Sequence, residues 1–118
     1  MGFGKNLHEL GKILMQDKSK IPRLLEELAE QANPEQILQG QNQRKSAYEK
    51  CLKIARVYSG RAKKARSDEE KKLYQDMAKN YRENADLRAD IALIQWYRTC
   101  IEADSREASI RLKENLIN

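Results

Sequence analysis

The chain has 118 residues, 35% of them charged, with five Gly, two Pro, a formal net charge of +5 and a pI near 9.2. That is the size of one domain, and its wealth of Leu, Ala, Glu, Lys, Arg and Gln is the composition of long helices. No apolar run reaches the length of about 18 residues that a membrane span needs, and a single His with two scattered Cys excludes the usual zinc arrangements.

The first ten residues, MGFGKNLHEL, lack the apolar core of a signal peptide. Met1-Gly2 is not followed by a myristoylation motif, because Asn6 stands where Ser or Thr is wanted. The expectation is a cytoplasmic, single-domain protein (1–118) with a loose end over 1–5. A first helix is predicted from Lys5 or Asn6, with Leu7, Leu10, Ile13 and Leu14 on one face, ending in the polar DKSK stretch 17–20. Pro22 suits the first turn of a short second helix whose stripe is Leu24, Leu25, Leu28 and Ala32. Asn33-Pro34 then closes that helix and opens a third, with Asn as N-cap and Pro in the first turn.

The third helix is predicted from Pro34 to about Arg66. Gly40, in the polar QGQNQ patch, marks a kink or short loop that separates a lead-in turn from a basic helix proper. Gly60 lies inside the helical pattern at a cost of about 1 kcal/mol against Ala, which close helix packing or close approach of a ligand backbone would explain. Ser67 and Glu70 have capping-box spacing, with three acids in the first turn of a fourth helix. Leu73, Met77, Tyr81, Ala85, Ile91, Ile94, Tyr97 and Ile101 continue its seam to a break near 103–105, beyond which Ile110, Leu112 and Leu116 belong to a last helix. The predicted fold is all-α, a bundle of four to five helices built on two long antiparallel amphipathic ones. Cys51 and Cys100 both lie on apolar seams, so two buried free thiols are expected, although antiparallel helices could bring them together.

Charge is distributed very unevenly. Residues 44–66 hold nine Lys or Arg against one acid, a net +8, whereas 1–43 and 67–118 carry −1 and −2. At about 100° per residue, Ala47, Tyr48, Cys51, Ile54, Ala55, Tyr58, Ala62 and Ala65 share one arc. Lys45, Lys50, Lys53, Arg56, Arg61, Lys63 and Lys64 fall on the opposite one, and Arg44 opens the segment. Glu49 is the one acid within the helix to pair with them, so like charges repel along the ridge. A charge run usually means only a solvated face, and acids on neighbouring helices can neutralise it. The one-sidedness favours a polyanion lying along the ridge.

Little in the chain suggests chemistry. His8 has no cysteine or histidine cluster around it, and Glu83, Asp86 and Asp90 lack the Glu-x-x-His motifs of carboxylate metal sites in bundles, so they read as a solvated or salt-bridged face near Arg82 and Arg88. No glycine-rich phosphate loop is present. No catalytic residue, metal site or cofactor is therefore expected, and the chain is not expected to be an enzyme. Tyr48 and Tyr58 read as core or seam edge, and of the adjacent Trp96 and Tyr97 one is expected to face the core and the other a partner.

The leading functional expectation is largely sequence-independent binding of RNA or single-stranded DNA. It would act through phosphate contacts from Arg44, Lys45, Lys50, Lys53, Arg56, Arg61, Lys63 and Lys64, with other protein subunits as partners and no membrane. The alternative is an adaptor bundle whose ridge docks an acidic protein, and self-association through the acidic flanks would mimic such a partner. A peripheral membrane helix fits worse, because the apolar arc is rich in Ala and Tyr rather than Trp, Phe and Leu. With KCLKIARVYSGRAKKAR on one helix, this small basic chain resembles the all-helical small subunits of CRISPR effector (antiviral defence) complexes. The likeness covers the basic helix and the overall character of the chain. It implies a non-catalytic subunit, present in several copies, that contacts RNA or a DNA strand through residues such as Lys53, Arg56, Arg61 and Lys64.

Overall fold

The computed structural model describes residues 3–117; of the expected loose end 1–5, residues 1 and 2 lie outside them, and 3–5 are already helical. Five α-helices account for nearly all of the described residues: α1 (Phe3–Gln16), α2 (Ile21–Gln31), α3 (Pro34–Lys63), α4 (Asp68–Glu83) and α5 (Ala85–Ile117), with a 3-10 turn over Lys18–Lys20 between the first two. The fold is all-α, as predicted.

The caps are read directly from short-range chemistry. Asp17 opens the 3-10 turn by accepting the Ser19 N–H at 3.2 Å, and Pro22 sits in the first turn of α2. Asn33 accepts the Gln36 N–H at 2.8 Å and donates its own N–H to Gln36 Oε1 at 3.0 Å, a full capping box with Pro34 behind it. Ser67 Oγ accepts the Glu70 N–H at 3.1 Å and starts α4.

Two predicted breaks are corrected. Helix α3 is unbroken through Gly40, which is buried. A Cβ there would stand 2.9 Å from Leu93 Cδ1 and 3.0 Å from Tyr97 Cε1. This glycine therefore lets α3 and α5 approach closely, and the polar residues around it are the solvated side of one continuous helix. The second break falls at Asn84, not near 103–105. Asn84 ends α4 by donating its N–H to the Asn80 carbonyl at 3.0 Å, and its own carbonyl accepts the Arg88 N–H at 2.8 Å to open α5. Helix α5 then runs through 103–105 without interruption, held beside the first turn of α3 by a 2.9 Å hydrogen bond from Gln36 Nε2 to Asp104 Oδ2.

In the resulting rod, α3 lies antiparallel to α5 along its first half and to α4 along its second, while α1 and α2 pack on α5. The extents are 69 × 27 × 23 Å and the radius of gyration is 18.8 Å, against about 13.5 Å for a compact chain of this length. The accessible surface, 8912 Å², likewise exceeds the roughly 6,600 Å² of a typical monomer of this mass. The densest core lies where α1, α2 and α5 meet: Leu14, Ile21, Ile91 and Ile94 are buried, with Leu10, Met15, Leu24, Leu25, Leu28 and Leu87 against them. Ile13, grouped with that face in sequence, is instead half exposed. Cys51 and Cys100 are free thiols. Since Gln36 meets Asp104 and Arg44 meets Asp86 and Asp90, Cys100 sits level with the start of α3, about 20 Å from Cys51 along the axis.

Candidate nucleic-acid interface

The second half of α3 packs through small residues. Cys51, Ala55 and Ala62 are buried on its inner face, and Ala78 and Ala85 are buried on the opposing strip of α4 and the start of α5. Between them lies a tyrosine ladder: Tyr58 stacks on Tyr74 (centroids 6.1 Å apart, planes at 22°) and on Tyr81 (6.0 Å, 26°). Arg61 lies 5.5 Å from the centre of the Tyr58 ring, the middle of the ladder, and Arg88 lies 4.4 Å from that of Tyr81 at one end. Arg82 donates to Ser59 Oγ at 3.3 Å and Arg88 to Asn80 Oδ1 at 3.0 Å. The acids nearby form a salt-bridged face, as the sequence predicts, but with Lys79 and Arg44 as the cations rather than Arg82 and Arg88.

An inner face made of Ala, Cys and Tyr forces the long cations outward. Lys45, Lys50, Lys53, Arg56, Arg61, Lys63 and Lys64 are all exposed, and none forms an ion pair with a carboxylate of the described residues. Neighbouring helices therefore do not neutralise the ridge by direct contact. Arg44 has a different place. Its Nε donates to Asp90 Oδ1 at 2.8 Å and its Nη2 to Asp86 Oδ1 at 3.2 Å, which clamps α3 to α5 and leaves the side chain 30% exposed. The bond to Asp90 raises the guanidinium above its ordinary pKa, partly offset by desolvation. Arg44 is thus a structural tie, turned away from the ridge that begins at the next residue.

The ridge has a central line that residue-type counting misses. Ser46, Lys50, Lys53, Val57, Gly60 and Lys64 follow one another at helical spacing within an arc of roughly 80°, a track about 27 Å long. Two shallow grooves open along it. One, of about 750 Å³, is lined by Ser46, Glu49, Lys50, Lys53, Ile54, Arg56 and Val57. The other, of about 420 Å³, is bounded by Val57, Gly60, Arg61 and Lys64 on α3 and by Glu70 and Tyr74 on α4. Val57, half exposed, belongs to both. Tyr74 and Glu70 carry no charge-pattern signal, and only the helix pairing brings them to the ridge.

His8 is exposed and lines a separate shallow cleft with Lys12, Arg88 and Gln95. Among the described residues no cluster of His, Cys, Asp and Glu could hold a metal ion, and no helix is long and apolar enough to cross a membrane. Of the aromatic pair on α5, Tyr97 is buried and Trp96 is half-buried at its edge, 6.0 Å away. No family model, curated protein or solved structure matches the chain.

Proposed function

We propose that this protein is a non-catalytic, largely sequence-independent nucleic-acid-binding subunit of a larger assembly, with RNA or single-stranded DNA as its ligand. The observation that carries the reading is that seven exposed cations on one face of α3, from Lys45 to Lys64, form no ion pair with a carboxylate of the described residues. Like charges along one helix cost stability, and a phosphate backbone is the ligand that offsets this repulsion over a track of this length. Asn and Gln are absent from the exposed line, which leaves base identity unread by the usual bidentate contacts.

Membership of an assembly is supported by the shape. The surface area is about a third above that of a compact monomer, and Ile110, Leu112 and Leu116 are more than half exposed on the end of α5. The resemblance of the basic helix to small CRISPR-complex subunits points the same way.

The test is binding of labelled oligonucleotides at about 50 and 200 mM salt. Seven phosphate contacts predict a loss of roughly 10³-fold or more across that range. The quadruple variant K53E/R56E/R61E/K64E is expected to stay helical and lose binding. Absence of wild-type binding at 50 mM salt, or full binding by the variant, refutes the reading and turns the search to an acidic protein partner.

A further inference from the structure

Gly60 is a glycine without a structural reason. It sits in the last turn of a 30-residue helix, its backbone is not in the left-handed region, and it is exposed. A Cβ built on it would meet nothing within 4 Å, in contrast to Gly40, where Leu93 and Tyr97 fill the space. Close packing therefore does not account for Gly60, although it weakens the helix by about the difference between Gly and Ala. What Gly60 does do is lower the floor of the groove between α3 and α4. A long side chain would otherwise rise there, in line with Lys53, Val57 and Lys64.

The walls of that groove are specific. Tyr74 stands on one side, its ring already stacked on Tyr58, while Arg61 and Lys64 stand on the other. Glu70 also lines the groove. Its carboxylate repels a phosphate but accepts hydrogen bonds from the N–H donors on a base edge. An aromatic face, two cations and an acceptor around a side-chain-free floor suit one unpaired nucleobase with its flanking phosphates.

We infer that the Gly60–Tyr74 groove is a base-stacking subsite for single-stranded nucleic acid, in which one base extends the Tyr74–Tyr58 stack while Arg61 and Lys64 hold the adjoining phosphates. The inference rests on the ridge binding nucleic acid and deepens that reading, since a base held in a duplex does not enter the groove. Stacking is tolerant of sequence, which agrees with the lack of base-reading side chains along the ridge.

The test uses the full chain with a single-stranded oligonucleotide carrying 2-aminopurine and a duplex of the same length. Gly60→Leu fills the floor with a good helix former and leaves every charge in place, and Tyr74→Leu removes the ring. Each variant is expected to weaken single-strand binding by roughly five- to a hundred-fold and to abolish 2-aminopurine quenching, while leaving duplex binding near the wild-type value. Thermal melting checks that Gly60→Leu is at least as stable as wild type. Wild-type affinity and quenching in both variants, with binding still steeply salt-dependent, overturn the stacking subsite and leave the ridge standing. A wild-type chain that binds neither oligonucleotide overturns both.

Discussion

The two ends of this rod are held together by different materials. Where α1, α2 and α5 meet, branched and long aliphatic side chains interlock and Leu14 and Ile94 are wholly buried. Where α3 meets α4, the buried residues are alanines and a cysteine, and the larger contacts are half-buried tyrosines stacked face on face at the solvent boundary. The first region buries much apolar area per residue and supplies most of the hydrophobic stabilisation. The second brings two helices close at little volume, so that everything large and charged on α3 must point outward. A thin seam is what makes a dense cationic ridge possible, and stability has to come from elsewhere in the chain.

The contrast is easiest to break at the leucine-rich end. Leu14→Ala is expected to cost about 2–5 kcal/mol in urea unfolding, because its fully buried site leaves a cavity. Val57→Ala, half exposed on the ridge, is expected to stay within about 0.5 kcal/mol. Equal losses from the two would contradict the division of labour.

The glycines sharpen it further. Gly40→Ala is expected to destabilise by about 1–3 kcal/mol, since Leu93 and the Tyr97 ring must give way to the new methyl group. Gly60→Ala, with open space above it in the last turn of α3, is expected to raise stability by up to about 1 kcal/mol. Melting temperatures should therefore move in opposite directions for the same substitution on the same helix.

Arg44 divides structure from ridge. Arg44→Ala removes a partly exposed tie to Asp86 and Asp90, for a loss of about 1 kcal/mol after solvent screening. Oligonucleotide affinity is expected to change by less than the loss of any single exposed lysine on the ridge would cause. A drop as large as that of Lys53→Ala would return Arg44 to the binding face.

The smallest effect concerns pH. Burial raises the Tyr97 phenol above its usual pKa, so the folded chain holds that proton more tightly than the unfolded one. The resulting stability is present below about pH 10 and is lost as pH rises through the folded value. Tyr97→Phe is expected to flatten the alkaline limb of the stability curve, measured by urea midpoints between about pH 8 and 11.

Elements and function separate cleanly in what could be foreseen. Asn33, Pro34 and Ser67 announce their helix starts because capping depends on neighbours three residues away, and the cationic ridge is legible because helical spacing alone sorts the charges of 44–66 to one side. The bend at Asn84 carries no Pro or Gly signal. It arises because α4 and α5 each follow a different half of α3, a condition set by packing. Gly40 and Gly60 look alike in the chain and mean opposite things, since one faces Leu93 and Tyr97 and the other faces open space. Local chemistry by itself determined the helical class, the caps at Asn33 and Ser67 and the one-sided charge. Only the tertiary structure decided that Arg44 is a tie, that the seven cations from Lys45 to Lys64 meet no carboxylate of the described residues, and that Tyr74 and Glu70 complete a groove, because each of these depends on how the helices meet across an antiparallel register.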